Sequence, residues 1–177
     1  NGYVIMSALN SDYVIDLSGG IISEGRNIQL YKSNDNKAQR WNFIYISKED
    51  KLARQNKNAL KDGTYTIYYT ISSTLNNNFV LDIKNDSKAD NGNVQLNQDN
   101  SSNSKEFIVT HDSMGYVTFT NVNSGKVLDV SSGKVENGRN IQQYLSNGTK
   151  AQKWIVEKKE NGYVIMSALN SDYVIDL

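Results

Sequence analysis

The three strings Lys126-Val-Leu-Asp-Val130, Gly138-Arg-Asn-Ile-Gln-Gln-Tyr144 and Ala151-Gln-Lys-Trp154 decide the fold, because the same strings return in the same order elsewhere in the chain. The first has counterparts in Tyr13-Val-Ile-Asp-Leu17 and Phe79-Val-Leu-Asp-Ile83, each with an Asp inside an apolar run. The second matches Gly25-Arg-Asn-Ile-Gln-Leu-Tyr31 and Gly92-Asn-Val-Gln-Leu-Asn97, and the third matches Ala38-Gln-Arg-Trp41 and Ser104-Lys-Glu-Phe107. Internal repetition of this kind takes precedence over any local reading of secondary structure.

The spacing is informative. Asp16 to Asp82 is 66 residues, while Asp82 to Asp129 and Asp129 to Asp176 are 47 each. The unit is therefore 47 residues, and one junction carries 19 more. Those extras fall near 47–63, a polar and charged stretch that reads as a spacer with a short helical turn around Lys51–Leu60. Residues 1–17 recur unchanged at 161–177, a long period of 160 that three units and the extras account for. The boundaries that follow are a lobe at 1–46, the last of a trefoil by spacing, and a spacer at 47–63. A lobe at 64–109, a lobe at 110–156 and a partial fourth at 157–177 come after them. The chain reads as a piece of a tandem array.

Within each unit the runs are short, rich in Val, Ile and Tyr, and separated by Asn, Gly and Ser clusters. About four strands per unit are expected. A four-stranded unit is too small to bury its own apolar face, so three should close around a pseudo-threefold axis, which also removes free sheet edges. The predicted fold is all-β, a β-trefoil of three four-stranded lobes. With only three units, a propeller is disfavoured.

Composition bounds the function. The chain has 177 residues, enough for one well-buried core and too few for two ordinary domains. Basic and acidic residues balance at 19 each, which argues against nucleic acid as a partner. No apolar run reaches the roughly 18 residues of a spanning helix, so membrane insertion is not expected. There is no Cys, which excludes disulfides and thiolate metal sites. The single His111, in the link between the second and third lobes, reads as a solvated residue, and no catalytic triad is expected. Threefold-related aspartates are too far apart for a glycosidase pair. The stretch Asp86–Gly92 resembles a calcium loop only superficially, since Lys88 stands where an oxygen ligand is needed. No catalytic residue, metal or cofactor is therefore expected.

The Asp string, the Ile-Gln-x-aromatic string and the Gln-x-Trp string together resemble the signature of ricin-type β-trefoil lectins. The resemblance covers all three units. It implies a non-catalytic module that binds glycans, secreted or on a cell surface, in a bacterial protein. It implies further that the Asp accepts from vicinal sugar hydroxyls, that the aromatic stacks on the pyranose face, and that the Gln residues complete the contacts. Such chemistry is physically sound, because a pyranose presents hydroxyl edges and an apolar face.

On that pattern the first-lobe site comprises Asp16, Gln29, Tyr31 and Gln39, and the third-lobe site comprises Asp129, Gln142, Tyr144 and Gln152. Asn34 and Asn147 are auxiliary candidates from the preceding loops. The middle lobe keeps Asp82 and Gln95, but Asn97 replaces the aromatic, Lys105 the Gln and Phe107 the Trp, so it reads as structural. Ala38 and Ala151 depart from the family, whose sugar-binding members often place Asn there; galactose-type specificity does not carry over. Trp41, Phe107 and Trp154 read as core wedges. The alternative function is a structural or adhesive repeat that contacts protein or cell wall. The duplicated ends compete for one slot, so residues 1–46 are expected to fold back across the spacer and close the trefoil. One 17-residue copy would then be displaced, or exchanged with a neighbouring molecule in self-association.

Overall fold

The computed structural model describes residues 3–71, 74–160 and 162–176, with backbone alone at 68–71 and 74–78. Residues 1, 2, 161 and 177 of the duplicated segment lie outside the described residues. The chain divides into two compact units, Asn1–Tyr45 and Ile46–Leu177.

The first unit is built on one antiparallel hairpin, β1 (Tyr13–Leu17) with β2 (Ile28–Lys32), whose register sets Asp16 opposite Gln29 and Val14 opposite Tyr31. Tyr3 and Trp41 exchange backbone hydrogen bonds, N to O at 2.7 and 2.8 Å. The Trp41 indole donates to the Ile15 carbonyl at 3.0 Å, which closes the lobe around Val14.

The second unit opens with α1 (Lys48–Asn56), which lies within the segment read as a spacer and begins three residues before the predicted turn. Ser47 caps it reciprocally: its hydroxyl accepts from Asp50 N at 3.0 Å while the Asp50 carboxylate accepts from Ser47 N at 3.3 Å. The helix is no passive tether. Ala53 is wholly buried against Tyr116, Ile155, Met166 and Ala168. Gly115 permits the approach, since a Cβ there would lie 2.5 Å from the Ala53 carbonyl and its φ is +92°. Polar contacts fix the same seam, with Tyr116 donating to Asp50 at 2.6 Å, Ser171 Oγ to Glu49 at 3.2 Å and Lys48 to Asp172 at 2.6 Å.

Ten strands follow. The lobe at 64–109 holds β3 (Gly63–Thr66), β4 (Tyr68–Ile71), β5 (Thr74–Ile83), β6 (Gly92–Gln98) and β7 (Glu106–His111). The next holds β8 (Val117–Asn121), β9 (Val127–Val130), β10 (Ile141–Tyr144) and β11 (Trp154–Lys159), and β12 (Gly162–Ser167) belongs to the C-terminal copy. Within each lobe the two inner strands pair as a hairpin, β5 with β6 and β9 with β10. The flanking strands pair in succession, β3–β7–β8 and then β11 with both β8 and β12. Phe107, Val109, Phe119, Leu128 and Trp154 fill the core between them. Phe107 and Trp154 are thus core wedges, as expected. His111 is not a solvated linker residue: β7 runs through it, and its Nδ1 lies 2.5 Å from Asp62 Oδ1 with the ring largely buried.

Candidate functional site

The three hairpins carry the same register. Val14 faces Tyr31, Val80 faces Asn97 and Val127 faces Tyr144, while the Asp of each lobe faces its Gln. This follows from the period of two along a strand, which turns the Asp and the Val two residues before it to one side.

In the third lobe the Asp129 carboxylate is buried. Its Oδ1 accepts from Gln142 Nε2 at 3.0 Å and its Oδ2 from Gln152 Nε2 at 3.1 Å. Gln152 also ties down the loop before it, donating to the Leu145 carbonyl at 3.0 Å and accepting from Asn147 N at 2.8 Å. The Asn147 side-chain Oδ1 accepts from Thr149 N and Oγ1, at 3.0 and 2.8 Å. The glutamines therefore position the aspartate and close the lobe.

The first lobe repeats these bonds with Gln29, Gln39, Lys32 and Asn34. Asp16 accepts at 2.9 and 3.1 Å, Gln39 donates to the Lys32 carbonyl at 3.2 Å and accepts from Asn34 N at 3.0 Å. Tyr31 is exposed and Tyr144 half-buried. In each of the two lobes the Asp and both Gln residues are joined by hydrogen bonds, and the Tyr lies two positions after the first Gln on the same strand.

The middle lobe differs in kind. Asp82 Oδ2 accepts from Gln95 and Asn97 at 2.9 and 3.1 Å, and Oδ1 accepts from Ser104 at 2.9 Å. The Lys105 ammonium lies 3.4 Å from Oδ1. Four donors saturate a carboxylate, which offers about four acceptor positions. Burial pushes the Asp82 carboxyl up, but the three hydrogen bonds and the lysine charge outweigh it and hold it below the usual range. Asn97 and Ser104 are the reason: a short amide stands where the other lobes have a tyrosine, and a hydroxyl where they have Ala38 and Ala151.

A cavity of about 590 Å³ opens over Asp129 in the second unit. Gln142, Tyr144 and Asn147 line it from the lobe itself, and the turn Ser131–Gly133 lines it after the Asp string. Ser132 in that turn is left-handed, with φ +60°. Lys150 and Ala151 form a further wall. Asn91, from the preceding lobe, and Leu169, from the C-terminal copy, complete it. Repeat reasoning missed these last two, because they lie in other units. The turn residues were legible in principle, since a polar tripeptide follows the Asp string in every lobe. Among the described residues no cluster of three or more His, Asp or Glu groups could hold a metal, and no helix is long and apolar enough to cross a membrane.

The family described as ricin-type beta-trefoil lectin domain-like matches at residues 1–97, 58–144 and 106–177. No curated protein sequence matches the chain. Among solved structures, the agglutinin of Rhizoctonia solani is similar with a TM-score of 0.57 and 23% identity, over 67% of this chain and 77% of that one. A mosquitocidal holotoxin gives 0.56 and 19% over 98% of this chain, which spans only 19% of the toxin. The Polyporus squamosus lectin, solved with the epitope Neu5Aca2-6Galb1-4GlcNAc, gives 0.52 and 17% over 65% of this chain and 42% of that one. At these identities the likeness establishes the fold, a β-trefoil.

Proposed function

The chain belongs to the ricin-type β-trefoil lectin domain-like family, and on that premise we propose that it is a non-catalytic module that binds glycans in shallow Asp/Tyr pockets of two lobes. The principal pocket is the one over Asp129 and Tyr144, and a second lies at Asp16 and Tyr31. One observation carries this reading: Asp129 has two donors and lines an open cavity, whereas Asp82 has four donors and no acceptor position left. The two remaining acceptor positions of Asp129 suit a pair of vicinal hydroxyls, and Tyr144 supplies the stacking face. Sites of this depth bind weakly, at roughly millimolar or about 4 kcal/mol each. Repetition along a tandem chain would raise the avidity on the order of 10²–10⁴. A secreted or cell-surface setting in a bacterium fits such a module.

The test is glycan-array binding competed by free sugar, with Tyr31→Ala plus Tyr144→Ala as the control. Binding that survives the double substitution, or its absence in the parent chain, discards the reading.

A second reading, adhesion or self-association through the duplicated segment, is favoured by one observation. Tyr3, Met6 and Leu9 of the first copy are largely exposed, and such apolar exposure is unusual unless it meets a partner. Light scattering on a chain ending at Glu160 tests it: an unchanged oligomeric state excludes assembly by the second copy.

A further inference from the structure

The cavity over Asp129 is walled by more than its own lobe. Asn91 reaches it from the turn before β6, and that turn is pinned to β10. The pin is Gln143, 0% exposed, whose amide donates to the Ser87 and Ala89 carbonyls at 2.8 and 2.9 Å and accepts from Ser124 Oγ at 2.6 Å. Asn91 N donates to the Gln143 carbonyl at 2.9 Å, and the Asp90 carboxylate accepts from Leu145 N at 2.9 Å and from Lys126 at 2.6 Å. The approach is so close that a Cβ on Gly92 would lie 2.7 Å from the Gln143 amide nitrogen. Asn91 itself is left-handed, φ +62°, and its exposed side chain has no hydrogen-bond partner among the described residues. A rigid turn thus presents a free amide to the cavity. Leu169 adds an apolar wall, packed against the core of the second unit.

We propose that Asn91 and Leu169 form a second subsite, so that this cavity takes a glycan of at least two rings, the first on Asp129 and Tyr144. This rests on the carbohydrate reading above. The cavity volume lies within the range of about 300–1,000 Å³ typical of sites that enclose drug-sized ligands. An amide can donate and accept at once, which suits a hydroxyl or acetamido group on the second ring. The subsite belongs to this lobe because it needs the turn of the lobe before it.

The experiment uses the full chain on an array of mono-, di- and oligosaccharides, followed by calorimetry with the best disaccharide and its terminal monosaccharide. Asn91→Gly keeps the left-handed turn while removing the amide; Leu169→Ala is the second variant. We expect Asn91→Gly to weaken the disaccharide at this cavity about tenfold and the monosaccharide less than twofold, and Asp129→Asn to remove this site's share of the binding of both. Equal affinity for the two sugars in the parent chain, or an unchanged disaccharide affinity in both variants, overturns the subsite and leaves the lectin reading intact. No binding to any arrayed sugar overturns both.

Discussion

The Lys105 ammonium lies 3.4 Å from the Asp82 carboxylate, with side chains 4% and 3% exposed. In the other two lobes a glutamine amide donates from the equivalent place, to Asp16 and Asp129. The lysine therefore takes the glutamine's place, while Asn97 and Ser104 complete a saturated polar cluster where the other lobes keep an open acceptor. A buried ion pair is costly to break from one side, because the surviving charge has no water to turn to.

Lys105→Met should cost about 3 kcal/mol of stability, the low end for a broken buried pair since three neutral donors remain on Asp82. Lys105→Gln, which restores a donor, should cost less. Urea unfolding distinguishes them; a loss below about 1 kcal/mol for the Met variant would show that the pair does not hold the lobe.

Acid should weaken the fold through the same group. Asp82 is held below its ordinary value of about 3.9, so its contribution is fully present above that pH and is lost as pH falls through the folded value. Asp112 acts in the same direction: burial pushes it up, but the Lys153 ammonium at 2.7 Å and backbone donors outweigh that. Asp82→Asn should be less stable at pH 6 and lose less than the parent chain between pH 5 and pH 3. Parallel urea midpoints in the two proteins across that interval would contradict this.

Gly115→Ala should destabilise by about 2 kcal/mol, as overpacking against the Ala53 carbonyl combines with a left-handed backbone. Hydrogen exchange in α1 should rise with it. Thermal unfolding unaffected by the substitution would mean that the helix can shift without cost.

Tyr144 separates binding from stability. It is half-buried, so Tyr144→Phe should keep glycan binding and Tyr144→Ala should lose roughly tenfold, the effect of about 1.4 kcal/mol of stacking. Asp129→Asn should lose binding and also about 1–2 kcal/mol of stability, because one glutamine amide then faces another donor. Calorimetry and urea unfolding on the same samples check both halves.

The repeat made much of this legible. Asp and Gln stand 13 residues apart in every lobe, and in each they are hydrogen-bonded partners across a hairpin. Hairpin partners are close in sequence, so one lobe's pattern could be compared with the next. Asn91 and Leu169 escaped because contacts between lobes leave no periodic trace. The packing of α1 escaped for a related reason: Ala53 is a small residue in a charged helix, and only Gly115, some sixty residues away, lets it be buried.

The duplicated segment separates the two kinds of information. Both copies make the same local bonds, Ser7 N to Tyr13 O at 2.8 Å and Ser167 N to Tyr173 O at 2.9 Å, with Met6 bridging Val14 and Met166 bridging Val174. Those contacts span a few residues, and the seventeen side chains suffice to determine them. Burial is another matter. Met6 is 62% exposed and Met166 7%; Leu9 is 98% exposed, while Leu169 packs on the core. Asp16 is buried, where it accepts from Gln29 and Gln39, and Asp176 is exposed. Apolar burial and carboxylate solvation depend on partners distant in sequence, and those only the tertiary structure supplies.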